Sequence, residues 1–183
     1  MDSKEIEQQL KKLQEQLNES RVQHPKDQMS MVVFSGDMDK ILGAFTIAIG
    51  AAAMDTEVKM FFSFWALSAL RDINKKARGK NFISKMFGFM LPKGMSKLKL
   101  SKMNMGGMGT SMIKSIMKKH KVASLEEMLA TAAELEIEID ICEMSMDLMG
   151  FKKEEMIDYP NLIYCGVGTF IADASESRVH LFI

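Results

Sequence analysis

The chain has 183 residues, 47% apolar and 26% charged, with a formal net charge of zero, an ordinary globular balance. That length holds one domain with a substantial core plus extensions. Two cysteines exclude a disulfide framework, residues 1–28 contain no apolar signal core, and the apolar run at 41–54 falls short of the roughly 20 residues a membrane helix needs. A reducing, cytoplasmic location is the expectation.

The zero conceals an asymmetry. Residues 73–125 carry thirteen Lys and Arg and no Asp or Glu, leaving 11 basic and 24 acidic side chains for the remainder. Such a block points to an acidic partner or a separate environment.

In chain order, residues 2–24 read as an exposed helix. Ile6, Leu10, Leu13 and Leu17 repeat at four, three and four residues, a seam of two heptads. It suits either an amphipathic helix lying on its own domain or a self-association seam, although two heptads are too few to stand alone as a coiled coil. Pro25 closes it, so 1–28 is a helix plus linker and 29–183 the main domain. Residues 29–34 form an apolar strand covered on both faces. A turn at 35–39 follows, with Asp37 or Asp39 available as a cap for a buried helix at 40–54 that is rich in small residues. Residues 57–62 are the second strand. Ser63, Phe64 and Trp65 lie at its C-terminal end, and Trp65 is either a core aromatic or part of a pocket wall.

An insertion occupies about 73–123 and holds many of the methionines. Phe82, Ile83, Met86, Phe87, Phe89 and Met90 form an apolar cluster beside Lys80 and Lys85. Pro92 and Gly94, then Gly106, Gly107 and Gly109, break the chain. Met112, Ile113, Ile116 and Met117 carry a helical period with Lys114, Lys118 and Lys119 opposite. Two readings stand: a mobile basic flap docking on a membrane surface or an acidic partner, or an extended lid whose methionines pack on the domain. Nucleic acid is not expected, because few aromatics interleave with the lysines and only Arg78 could make a bidentate base contact.

Ser124-Leu-Glu-Glu127 is a capping box opening a helix over 125–135. Ile137, Ile139 and Ile141 then alternate with Glu136, Glu138 and Asp140, a strand with one face in the core. At Cys142 the pattern turns helical, and Gly150 stops it. Cys142 therefore sits where a strand becomes a helix, the edge at which open α/β sheets meet their ligands. A helix N-terminus favours its thiolate, while Glu143 and Asp147 oppose it. On spacing alone it is either a reactive thiol or a small buried hydrophobe. A short helix at 152–157, a strand at 161–164 ending at Cys165, a turn at Gly166, Gly168 and Thr169, a helix at 170–175 and a strand at 179–183 complete the chain. Five strands alternating with helices indicate an α/β fold with a three-layer, mostly parallel sheet.

The stretch Cys-Glu-Met-Ser-Met-Asp-Leu-Met-Gly-Phe-Lys-Lys-Glu-Glu (142–155) resembles the signature of the DsrE-like (DsrE/DsrF/DrsH-like) sulfur-carrier family. Val-Val-Phe-Ser-Gly-Asp-Met-Asp-Lys (32–40), Phe-Phe-Ser-Phe-Trp-Ala-Leu-Ser-Ala-Leu-Arg (61–71) and the region around 166–170 resemble the same branch. The resemblance implies a flavodoxin-like sheet, a compact homo-oligomer (trimer or hexamer), and a sulfurtransferase or carrier cysteine that takes sulfane sulfur as a persulfide. Cys142 is the position that matches. Its partners would be sulfur-donor and sulfur-acceptor proteins or small thiols. Cys165, outside the motif, is a second candidate thiol, and Ser35, Gly36, Asp37, Phe64, Trp65, Met144, Gly166 and Gly168 are the candidate pocket. The alternative is a non-catalytic adaptor that docks through the basic insertion, which a buried, unreactive Cys142 would favour. No metal or cofactor is expected. His24, His120 and His180 are scattered, Gly166-Val-Gly168 lacks a third dinucleotide glycine, and Gly106-Gly-Met-Gly109 lacks the Lys of a phosphate loop.

Overall fold

Short apolar or β-branched runs separated by helical segments can satisfy their backbones only by pairing side by side, and the connections between them are long enough to make that pairing parallel. In a computed structural model, which describes residues 3–23, 25–77 and 82–183, five strands form: β1 (Lys26–Val33), β2 (Glu57–Phe62), β3 (Glu138–Cys142), β4 (Leu162–Cys165) and β5 (Ser177–Phe182). Their order is β4-β3-β2-β1-β5, and every pairing is parallel. The helices are α1 (Ser3–Gln23), α2 (Met38–Ala52), α3 (Phe82–Met90), α4 (Met108–Lys119), α5 (Leu125–Glu134), α6 (Glu143–Leu148) and α7 (Val167–Glu176). The expected three-layer α/β architecture is present, with helices on both faces of the sheet. His24, Arg78 and Lys80, and the side chains of Leu17, Phe82, Ile83 and Lys85, lie outside the described residues.

Strands β1 to β4 step across the sheet in one direction and β5 returns to the far side of β1. With right-handed crossovers, the outward steps put α2 and α5 on one face and the return puts α7 on the other. The first face receives Met29, Met31, Val33, Met60, Phe62, Ile137, Ile139 and Ile141, all buried against Ile41, Phe45 and Ala48 of α2 and Leu125, Met128 and Ala132 of α5. Each such side chain contributes about 1.5–3 kcal/mol on leaving water. The second face receives Gln28, Ser30, Lys59, Phe61, Glu138, Asp140, Cys142 and Cys165, and α7 is its helical cover. The alternating strand therefore does not turn its polar side to solvent. Asp140 is as buried as the isoleucines beside it.

Local details depart from the sequence expectations for visible reasons. Strand β1 begins at Lys26, inside the stretch read as linker, because Lys26 finds a partner in Ser177. Asp37 occupies the N-cap of α2 but makes no side-chain cap bond; its carboxylate accepts from Ser35 Oγ at 3.0 Å instead. Asp39 accepts from the Ser101 backbone N–H and hydroxyl at 2.8 and 2.6 Å, so it ties down the insertion rather than the helix. The Ser124–Glu127 capping box forms as expected. Gly36 is needed where it is: a Cβ there would stand 2.5 Å from the Trp65 carbonyl oxygen.

The insertion is stitched to the domain at several points. Arg71, 4% exposed, pairs with Glu155 at 3.4 Å, lies over the Phe151 ring and donates to the carbonyls of Gly88 and Pro92. Met95 and Leu98 are buried in the core, and Ile113 and Met117 pack against it. Those four side chains hold the insertion against the domain. The opposite side of α4 leaves Met108, Met112 and Ile116 exposed, as are Phe89 and Met90 on α3. Among the described residues no helix is long and apolar enough to cross a membrane.

Candidate functional site

Cys142 is the last residue of β3 and the N-cap of α6, so its backbone is still extended while the next residue turns helical. Three residues on, the first turn of α6 brings Ser145 back over the sulfur, and its hydroxyl donates to Cys142 Sγ at 3.3 Å. Ser63, just beyond the neighbouring strand β2, completes the chain with a 2.9 Å hydroxyl–hydroxyl bond to Ser145. All three side chains are buried. The polar contact to the sulfur thus comes from a specific hydroxyl, α6 being only six residues long. Glu143, expected to oppose the thiolate, has its charge paired with Lys153 at 2.8 Å.

Parallel register places Cys165 directly across from Cys142. The two thiols pack with Phe61, and Val32 and Phe170 close the group, Phe61 and Phe170 lying 5.4 Å apart. Burial, reinforced by the nearby Asp140 charge, pushes the Cys165 thiol up to about 11, against a hydrogen bond from Thr169. Cys142 is 2% exposed and Cys165 8%. The sulfurs are therefore gathered but covered in a single chain.

Beneath them lies a polar cluster absent from the sequence expectations. Glu138, Asp140 and Asp173 bring carboxylate oxygens within 4.8 Å of one another. The Lys59 ammonium occupies this group, 3.2 Å from Glu138 and 2.9 Å from Asp173. Burial works against its charge, but the two ion pairs outweigh this and raise its pKa. Burial, then the charges of Glu138 and Asp173, push the Asp140 carboxyl up to about 7 despite Lys59. A cation held by these residues would compete with the lysine that already pairs with Glu138 and Asp173.

The candidate pocket divides. Ser35, Gly36, Asp37 and Trp65 line a cavity of about 630 Å³ together with Ser68, Phe89, Lys97 and Lys99, and Cys142 is not among its walls. Trp65 is 46% exposed there, so it is not a core aromatic. Phe64 packs on Phe34 at 5.0 Å, Met144 is half exposed on α6, and Gly166 and Gly168 lie exposed at the start of α7. Sequence reasoning missed Ser63, Ser145, Lys59, Asp140 and Asp173. The position of Ser145 three residues after an N-cap, and of Asp140 two residues before Cys142 on a strand, carried the signal for two of them.

The sequence profile of the DsrE/DsrF/DrsH-like family matches residues 25–182. The chain belongs to that family. It is 46% identical over 154 residues to the uncharacterized protein YrkE of Bacillus subtilis, covering 84% of this chain and 95% of that one. It is 34% identical over 159 residues to a protein of Allochromatium vinosum named sulfur carrier protein DsrE2, covering 85% and 97%. Among solved structures the YchN protein of E. coli matches with a TM-score of 0.53 over 85% of this chain and 98% of that one. At 10% identity, that match bears on the fold alone. The family match begins at Pro25, so α1 lies outside it, whereas the basic insertion lies within it.

Proposed function

We propose that the protein is a sulfur carrier in which Cys142 accepts sulfane sulfur as a persulfide and passes it to an acceptor thiol. The observation that carries this reading is the Ser63–Ser145–Cys142 hydrogen-bond chain at the C-terminal edge of the sheet, in a family that includes a protein named as a sulfur carrier. The Cys142 thiolate attacks the sulfane sulfur of the donor, the donor's S–S bond breaks, and Cys142 Sγ–S forms. In the second step an acceptor thiolate takes the outer sulfur and Cys142 leaves as a thiolate, to which Ser145 again donates. Loading requires the cover over Cys142 to move, so α6 or α7 opens during the cycle. Val167, Ile171 and Phe182 are exposed on and beside α7, which suits a homo-oligomer, a trimer or hexamer, in which a second copy covers them. The carrier works in the cytoplasm between a donor and an acceptor protein or small thiol.

Exposure to polysulfide tests the reading. The wild type should gain sulfur in steps of about 32 Da, the mass of each added sulfur. Cys142→Ser should gain none, and Cys165→Ser should still load. Loading that survives Cys142→Ser and disappears in Cys165→Ser would assign the acceptor to the wrong thiol.

The burial of Cys142 favours a second reading, the non-catalytic adaptor docking through its basic insertion on a membrane surface or an acidic partner. The thirteen cationic residues of 73–125 and the exposed Met108, Met112 and Phe89 support it. Retention on anionic vesicles that falls with salt, together with no sulfur uptake, would make the adaptor the better account.

A further inference from the structure

We propose that Asp140 is the proton acceptor of an internal sulfur relay from Cys142 to Cys165. The relay rests on the reading of Cys142 as the persulfide site. Strand geometry assembles its parts. Asp140 and Cys142 are two residues apart on β3 and share a face, while Cys165 faces Cys142 from β4. Asp140 is thus the diagonal neighbour of Cys165 on one covered surface. It is 1% exposed, and its Oδ1 has no hydrogen-bond partner. A buried carboxylate oxygen left without a donor is costly and holds a proton readily.

The ionisable groups facing Asp140 come from four elements: Glu138 and Cys142 on β3, Lys59 on β2, Cys165 on β4 and Asp173 on α7. The Lys59 ammonium is held by Glu138 and Asp173, which leaves Oδ1 of Asp140 for another donor. With its carboxyl at about 7, Asp140 is close to half ionised at neutral pH, while Cys165 at about 11 keeps its proton. A thiol that weak would surrender its proton to the carboxylate only about once in 10⁴. The proton therefore leaves as the new bond forms, which is general-base catalysis.

The step balances without an oxidant or reductant. Cys165 Sγ attacks the outer sulfur of the Cys142 persulfide, and its proton passes to Asp140, directly or through one water. The Cys142 Sγ–S bond breaks as Cys165 Sγ–S forms. Cys142 leaves as a thiolate on the Ser145 hydroxyl and then recovers the proton from Asp140. One persulfide and one thiol enter, and one of each emerges.

The test follows the sulfur between the two cysteines. Protein loaded with polysulfide at about pH 5.5, where the carboxyl is protonated, is jumped to a series of higher pH values. It is then alkylated and cut with trypsin, which leaves Cys142 on the peptide 122–152 and Cys165 on 154–178. Sulfur should move from the first peptide to the second at a rate that rises through about pH 7 and then levels. Asp140→Asn should load Cys142 as the wild type does, move its sulfur at least about tenfold more slowly, and lose the pH step. Transfer in the wild type that is flat with pH overturns the proposal whether or not the variant folds, as does sulfur that stays on Cys142. An Asp140→Asn protein that transfers at the wild-type rate overturns it as well. No uptake at Cys142 in the wild type overturns the carrier reading and the relay together.

Discussion

The two faces of the sheet are built from the same five strands and obey different rules. The face under α2 and α5 is hydrocarbon throughout, with Met31, Met60, Phe62, Ile139 and Ile141 fully buried. The face under α7 carries Gln28, Ser30, Lys59, Glu138, Asp140 and both cysteines, joined by hydrogen bonds and ion pairs. Two helices close-pack on one side with buried residues of their own, but the single return helix α7 has no fully buried residue. What it covers must satisfy itself by polar contacts, and that is where a protein can store reactive groups. The stable face and the chemical face are separated by the thickness of one sheet.

Substitutions that act on one face sharpen this contrast. The largest effect belongs to the packed face. Ile139→Ala should cost about 3 kcal/mol, within the range for a fully buried aliphatic side chain, read as a lowered denaturant midpoint. A loss under about 1 kcal/mol would mean that this face is not close-packed.

On the polar face the effect depends on pH. The Asp140 carboxyl keeps its proton to about 7 when folded, against an ordinary value of 3.8. Between those values the native chain binds more protons than the unfolded one, so stability is full below the lower value and declines as pH rises through the higher. Asp140→Asn should remove that decline, so its stability relative to wild type rises between about pH 4 and 8. Parallel stability–pH curves for the two proteins would show that Asp140 does not titrate in this window.

Ser30→Ala should cost about 1 kcal/mol, because Ser30 Oγ is 2.7 Å from Ser177 Oγ, which also accepts from Gln28 at 2.9 Å. An effect as large as that of Ile139→Ala would erase the distinction between the faces. Removing residues 1–23 should change the unfolding free energy by less than about 0.5 kcal/mol, since Ile6, Leu10 and Leu13 are exposed rather than packed on the domain. A collapse of stability, or dissociation of an oligomer, on that truncation would give α1 a structural role.

The elements most legible in the sequence were those with one strong local pattern. The second strand has the expected bounds, 57–62, because its turn signals and apolar run agree. The Ser124 capping box and the Gly150 stop, at φ +64°, depend on neighbours a few residues away. Boundaries failed where a distant partner decided them: β1 reaches back to Lys26 because β5 is there to pair with it. The cap expected from Asp39 was lost to Ser101, 62 residues away. In the site, Cys142 was legible as a strand-to-helix junction, whereas the candidate pocket was not. Its eight residues share a sheet edge in a linear reading, yet only four line the same cavity.

Period-two alternation, helical periods and cap residues are local, so the sequence by itself determined five strands, their intervening helices and the junction at Cys142. It could not determine what covers the polar side of β3. That depended on the strand order, which sends the last crossover back over the sheet and lays α7 across it. The same glutamate–isoleucine–aspartate alternation would describe a solvated face on another fold. Here the return helix buries Asp140 beside two register-matched thiols, because parallel pairing sets Cys142 against Cys165, 23 residues apart in the chain and neighbours only in the sheet.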